Sequence, residues 1–467
     1  MTVDDAHPPK GEKSFLGHPF GLIFLVFAEA FERFSYYGMR ALLPLYLTHW
    51  LLLPGHVEHV IGFVPFRNFL ERSTGPLQPA ALSSLVVGLY GLTYVTPMLG
   101  GFIADQWLGR RRTVTIGATL MVFGHFMMAF DQSFLIALVL ILLGVGCFKG
   151  NISSQVGKLY GPDDVRAGTA FQIFYLVFNL AVFAAPIVCT KLGDIGWSWG
   201  FGAAGISMAL GLTVYLIGQP WLPKEAPRNK AQRTPQAPLT GRDWQKVVVL
   251  LILLPLLGAS LVMNEQIFNN YITWGNDNFD LSLLVKYLHS KDPGSYLVSL
   301  DSAVATLFLS GSIVFWRWYA TRWKEPDEMT KMAFAGFFAA AAPLAIVAAS
   351  MSAHDGHKAS LWWGILFEVL NDIGFANLVP VGLALYARVA PQQVNGTMIG
   401  VYMGSFFVAD AAAAALGAFL PRLGPTNFWW LHVAIVGGAA VGLMIFWRLF
   451  HRILAPHKAD VEIAPAQ

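Results

Sequence analysis

The chain has 467 residues, of which 55% are hydrophobic and only 13% charged, about half the charge share of a soluble globular domain. At about 20 apolar residues per crossing, it can supply roughly a dozen membrane spans, so a soluble enzyme and a disordered protein are poor fits. The formal net charge of +3 is too small for a polyanion, so no nucleic acid is expected as a partner.

Residues 1–18 are polar and carry Lys10 and Lys13. They could open a signal peptide, but the apolar run that follows contains Glu29, Glu32, Arg33 and Arg40, which a secretory apolar region does not tolerate. That run therefore reads as a retained helix. Apolar segments then recur at roughly 20–50, 80–105, 113–130, 133–156, 168–190, 198–222, 245–274, 297–319, 331–352, 360–388, 397–420 and 427–450. The prediction is an all-α integral membrane protein with twelve transmembrane helices, not fourteen. Longer links, 51–79 and 275–296, follow the first and seventh spans, at matching places in the two halves. The two cysteines, Cys147 and Cys189, lie within apolar runs and read as packing residues, since two thiols make neither a disulfide framework nor a zinc site.

One link, Pro223 to Lys246, is polar, Pro-rich and basic, and it divides the spans six plus six. That doubled layout resembles the major facilitator arrangement of transporters. The expected organisation is a cytoplasmic tail (1–18), a six-helix bundle (19–222), a cytoplasmic linker (223–244), a second six-helix bundle (245–452) and a cytoplasmic tail (453–467). Lys and Arg support both termini inside: 21 fall on the cytoplasmic side of this topology and 7 on the other.

Three cations remain within spans: Arg33, Arg40 and Lys149. The acids within spans are Glu29, Glu32, Glu265, Asp301, Glu368, Asp372 and Asp410. Each ionisable group in hydrocarbon costs at least about 2.5–3.5 kcal/mol, so such residues line wet cavities, pair with one another or carry protons. In the first span Glu29, Glu32, Arg33, Tyr36, Tyr37 and Arg40 share one helical face. That polar stripe must face the bundle interior, and Glu29–Arg33 is an i,i+4 pair in the favourable order. A structural salt bridge would need fewer groups than six, which favours a functional cavity lining.

The run Glu29-Ala-Phe-Glu32-Arg33-Phe-Ser-Tyr36-Tyr37 resembles the signature of the proton-dependent oligopeptide transporter family, of bacterial type, within the major facilitator superfamily. Three further stretches support the resemblance. Gly-Gly-Phe-Ile-Ala-Asp-Gln-Trp-Leu-Gly-Arg-Arg at 100–111 resembles the superfamily loop between helices 2 and 3. Phe174-Tyr175-x-x-Phe178-Asn179 is similar to the fifth-helix motif, and Gly-Thr-Met-Ile-Gly at 396–400 to the start of the eleventh helix.

The resemblance implies a role for each residue of the stripe and its neighbours. Glu29, Glu32, Arg33 and Glu265, which stands before Gln266 in the seventh span, would couple protons. Arg40 and Lys149 would hold the substrate's C-terminal carboxylate, a task that suits the guanidinium fork. Lys149 can alternatively snorkel at the cytoplasmic end, or pair with Glu29 or Glu32 when no substrate is bound. Glu265 has Arg40 as a plausible partner, or else caps a helix end. Asn179 would offer its amide to the substrate backbone, and Tyr36, Tyr37 and Tyr175 their hydroxyls and rings, although a buried Tyr is as often packing. The chain departs from the family in the tenth span. Pro380-Val-Gly-Leu383 is present, but the position five residues earlier, where the family carries a Glu, is Phe375. Asp372, or failing that Glu368, would supply the negative charge from the same face. Asp301 stands where the family has an amide, and Asn269 and Asn270 replace small residues. His125 and His432 read as hydrogen-bonded core residues.

The function implied is a proton-coupled symporter in the cytoplasmic (inner) membrane that imports di- and tripeptides by alternating access, as a monomer. It would use no cofactor and no metal, only the proton gradient. A carrier of nitrate or another small anion on the same fold is the alternative, because the family Glu is missing at Phe375. A membrane enzyme is disfavoured, since no nucleophile with a base, no metal set and no Gly-x-x-x-x-Gly-Lys-Ser/Thr loop occurs.

Overall fold

The computed structural model describes residues 14–15, 17–160, 164, 166–222, 239–353 and 357–454. Most of the two tails and of the linker 223–244 lie outside the described residues. Six long helices come from the first half of the chain: Gly21–Tyr46, Pro79–Leu108, Arg110–Met128, Phe134–Gly157, Arg166–Gly193 and Trp197–Gly218. The second half opens on Gly241–Ser260 and continues through Tyr296–Ala320, Glu328–Ser352, Leu361–Val389, Asn395–Gly417 and Pro425–Leu454.

Ten of these stretches are long and apolar enough to cross a membrane. The other two carry charge for identifiable reasons. The first contains the polar stripe, and the third opens on Arg110, Arg111 and Arg112. The first helix has 26 residues, about 39 Å at 1.5 Å per residue, more than a bilayer core of about 30 Å. The protein is a multi-pass, all-α membrane protein.

Two compact units divide the chain: Met1–Arg228 with Ile267–Ala303, and Asn229–Gln266 with Val304–Gln467. Their boundaries differ from the six-plus-six division at the linker, because residues 267–303 join the N-terminal six helices. Specific bonds hold them there. Ser295 Oγ donates to the Ala41 carbonyl (2.9 Å), and Ser299 Oγ to that of Phe183 (3.0 Å). Lys191 Nζ donates to the Leu288 carbonyl (2.6 Å), while Asp194 accepts from Ser290 Oγ (3.0 Å) and the Lys291 N–H (2.7 Å). His49 and Asp292 meet at 2.9 Å.

Within the first unit the first helix lies against the fifth and sixth, and the fourth against the second and third. Glycine makes the latter approach close. A Cβ on Gly100 would sit 2.0 Å from the Gly146 carbonyl oxygen, and one on Gly117 2.7 Å from that of Gly144. The Gly144-Val-Gly146 pattern thus lets the helix bearing Lys149 pack backbone to backbone. We expect Gly100→Ala to destabilise the protein by about 1–3 kcal/mol, the usual cost of overpacking against atoms that cannot move aside. Thermal unfolding in detergent measures it, and an unchanged midpoint would contradict the packing described. Both cysteines pack, as expected. Cys189 is buried, with its Sγ against Gly38, and Cys147 lies against Gly117.

In the second unit the ninth helix packs on the tenth and twelfth, and Gly241–Ser260 on the eleventh and twelfth. A capping box sets where the seventh helix begins: the Asp243 N–H donates to Thr240 Oγ (3.3 Å), and the Thr240 N–H to the Asp243 carboxylate (2.9 Å).

The sequence predicts one seventh span over 245–274. The structure corrects this to three pieces: Gly241–Ser260, Val262–Gln266 and Asn270–Asn278. Asn269, at φ −134° and ψ −112°, has left the helical region. Its amide donates to the Ser84 carbonyl (3.2 Å), and that of Asn270 to Ser84 Oγ (3.1 Å). Asparagine gives up helix readily because its side chain finds such alternative partners. The second span is also interrupted, by a tighter turn at Leu89–Tyr94 before Pro97 starts the next piece. The expected link 51–79 contains a helix of its own, Phe63–Thr74.

Candidate functional site

The first helix builds the site. Its period of 3.6 residues brings Glu29, Glu32, Arg33, Tyr36 and Arg40 inward, and all five are buried, Glu32 completely. Arg33 is shared by the two carboxylates. Its Nε donates to Glu29 Oε1 (2.8 Å), its Nη2 lies 2.8 Å from the same oxygen, and its Nε is 3.1 Å from Glu32 Oε2. The expected i,i+4 pair is present, and Glu32 makes it a triad. Two acids on one cation leave the group one charge short of neutrality, a shortfall that a proton or a nearby cation can fill.

Those cations are at hand. Lys149 is subject to attraction from Glu32 and Glu29 and to repulsion from Arg33 and Arg40, so the five ionisable groups form one electrostatic cluster. Lys149 itself lies over aromatic rings, with Nζ 5.0 Å from the Tyr94 centroid and 5.9 Å from that of Tyr36. The substrate-free pairing of Lys149 with Glu29 or Glu32 is not what the described residues adopt. No ion pair with Lys149 occurs among them, and Arg33 is the cation that meets one oxygen of each carboxylate. An ammonium over ring faces can still turn N–H groups to an incoming anion.

Tyr36 is the hub. Its ring centroid is 5.9 Å from both Lys149 Nζ and Arg40 Cζ. Its hydroxyl meets Thr93 Oγ at 3.1 Å; because Thr93 donates to the Tyr90 carbonyl (2.7 Å), Tyr36 is the donor. Tyr37 packs edge-on to Tyr36 and to Phe178, and Phe178 in turn faces Arg33 at 5.2 Å. Asn179 follows Phe178 on the fifth helix and is half-buried. The side chain of Tyr175 lies outside the described residues. Asp301 is buried near the start of the eighth helix.

The second unit holds the other predicted acids. Glu265, in the turn Val262–Gln266, is 1% exposed, and Glu368 and Asp372, one turn apart on the tenth helix, are fully buried. Phe375 lies one turn beyond them, half-buried. Gln266 donates to the Ala413 carbonyl (3.1 Å) and lies 2.9 Å from His432 Nε2. His432 Nδ1 meets the Phe428 carbonyl at 2.8 Å, so Nδ1 carries the proton and Nε2 accepts. His432 is the bonded core residue predicted. His125 is buried too, but neither ring nitrogen has a hydrogen-bond partner among the described residues.

Sequence reasoning missed Phe268. Its ring lies 4.3 Å from Arg40 Cζ and 5.8 Å from the Tyr37 ring. The available signal was an aromatic residue three positions after Glu265, directly before the two asparagines. Thr93, Tyr90 and Tyr94 were missed as well. They come from the tight turn in the second helix, which apolar periodicity does not register.

The chain has known relatives. Residues 111–260 match the model of the POT family. The chain is similar to the peptide transporter YePEPT of Yersinia enterocolitica, 26% identical over 516 residues that cover 93% of this chain and 95% of that one. It is also similar to the di-/tripeptide transporter of Lactococcus lactis subsp. cremoris, 26% identical over 508 residues, with 93% and 96% covered. Among solved structures, that of a peptide transporter POT in complex with sulfate superposes with a TM-score of 0.77 at 24% identity, over 97% of this chain and 99% of that one. Residues 111–260 thus resemble the POT family, the two relatives align along nearly the whole chain, and the fold is that of the solved transporter.

Proposed function

We propose that this protein is a proton-coupled symporter that imports di- and tripeptides across the cytoplasmic membrane by alternating access. The observation that carries the reading is the buried triad Glu29–Arg33–Glu32 beside two further cations, Arg40 and Lys149. An excess of buried cation favours a carboxylate ligand, and two buried acids sharing one guanidinium can exchange a proton for that ligand's charge. Arg40 and Lys149 receive the peptide's C-terminal carboxylate, with Tyr36, Tyr37, Tyr175 and Asn179 around its backbone. Asp372, or failing that Glu368, supplies the negative charge for the amino end. Glu29, Glu32, Arg33 and Glu265 pass the proton. The names of the two relatives support the substrate class.

Counterflow of labelled dialanine in liposomes tests the substrate. We expect saturable counterflow that unlabelled dialanine competes away and nitrate does not; competition by nitrate alone would replace the peptide with an inorganic anion. Arg40→Ala and Lys149→Ala should each raise the KM for dialanine about tenfold or more, the worth of one charge-assisted contact in a dry site. Unchanged KM in both would remove the carboxylate clamp.

A further inference from the structure

We propose that Phe268 is a positioning residue that orients the Arg40 guanidinium for a carboxylate and thereby selects for peptides with a free C-terminus; this rests on the peptide reading above. All five guanidinium N–H groups lie in its plane, and its faces donate nothing. A ring against one face therefore holds the group without consuming a donor. The Phe268 ring centroid lies 4.3 Å from Arg40 Cζ, the shortest of the cation–ring distances around Arg40 and Lys149. Tyr36 adds a second ring to Arg40 at 5.9 Å.

What holds Phe268 is the break in the seventh helix. Continuous helix would carry residue 268 in register with Glu265 and its neighbours. Instead the chain leaves the helix after Gln266 and resumes at Asn270. Asn269 and Asn270 fasten that segment to Ser84 on the second helix, one through the backbone carbonyl and the other through the hydroxyl. Phe268 is buried there and also braced by Tyr37. Two adjacent asparagines in an apolar span are costly unless their amides are used. Both are used on one residue, and the segment they fix presents Phe268 to Arg40.

The test is KM and maximal rate for dialanine counterflow in Phe268→Leu and Phe268→Tyr, with the C-terminal amide of dialanine as competitor. Leucine keeps apolar bulk and loses the ring quadrupole, whereas tyrosine keeps the ring. We expect Phe268→Leu to raise the KM about three- to tenfold with the maximal rate within about twofold, and Phe268→Tyr to stay near wild type. Competition by the amide, which has no carboxylate, should be the same in all three proteins. Equal KM for the leucine variant and wild type overturns the proposal, as does an equal shift for acid and amide. If Phe268→Leu does not fold, Asn270→Ala and Ser84→Ala remove the same hydrogen bond. Each should raise the KM, and the double variant no more than either; unchanged KM in both overturns the proposal. Absence of counterflow in wild type overturns the peptide reading and this inference with it, whereas working wild type with indifferent variants overturns this inference alone.

Discussion

Glu29→Gln and Glu32→Gln should each abolish accumulation of dialanine driven by a pH gradient, with counterflow persisting in at least one of them. Both acids are buried, and both contact the same guanidinium. Glutamine keeps the shape and the acceptor oxygen but cannot load or release a proton. A gradient of one pH unit is worth about 1.4 kcal/mol per proton, or a tenfold concentration ratio, and the variant forfeits all of it. Counterflow needs the site to open alternately but needs no net proton movement, so it separates lost coupling from lost structure. Glu265→Gln, in the turn before the helix break, should behave likewise. Undiminished pH-driven accumulation in all three would remove these residues from the coupling step.

The second large effect is on stability. Arg33→Met should leave two buried carboxylates without their shared cation and cost about 3–5 kcal/mol, enough to remove most folded protein from detergent extracts. The triple variant Arg33→Met, Glu29→Gln, Glu32→Gln carries no uncompensated charge at the triad. It should recover a monodisperse folded peak on size exclusion without recovering gradient-driven uptake. A folded, thermally stable Arg33→Met single variant would show that the triad is not what holds this part of the first helix.

Much of this site was legible in the sequence because it lies on one helix. The spacing of Glu29, Glu32, Arg33, Tyr36, Tyr37 and Arg40 is a property of the 3.6-residue period, and a polar stripe in an apolar span has only the interior to face. The Glu29–Arg33 bond follows from the same period. Gly144 and Gly146 announced close packing, which the structure places against Gly117 and Gly100.

What the sequence does not contain is the partner across a tertiary contact. Lys149, for which the sequence offers Glu29 or Glu32 as one possible partner, lies over Tyr94 and Tyr36, because the position of Tyr94 depends on a tight turn in another helix. The seventh span reads as one apolar run, yet Asn269 and Asn270 break it. Their amides find Ser84, about 185 residues away in the chain. Phe268 owes its place at Arg40 to that break. The same limit explains why residues 267–303 read as part of the second half and pack with the first.

Liposomes with an alkaline interior and an acidic exterior decide whether downhill protons drive peptide uptake. Wild-type protein should accumulate labelled dialanine above the external concentration while the interior acidifies in step, and a protonophore should abolish both. Uptake that only equilibrates, unaffected by the pH step or the protonophore, would show that protons do not drive it.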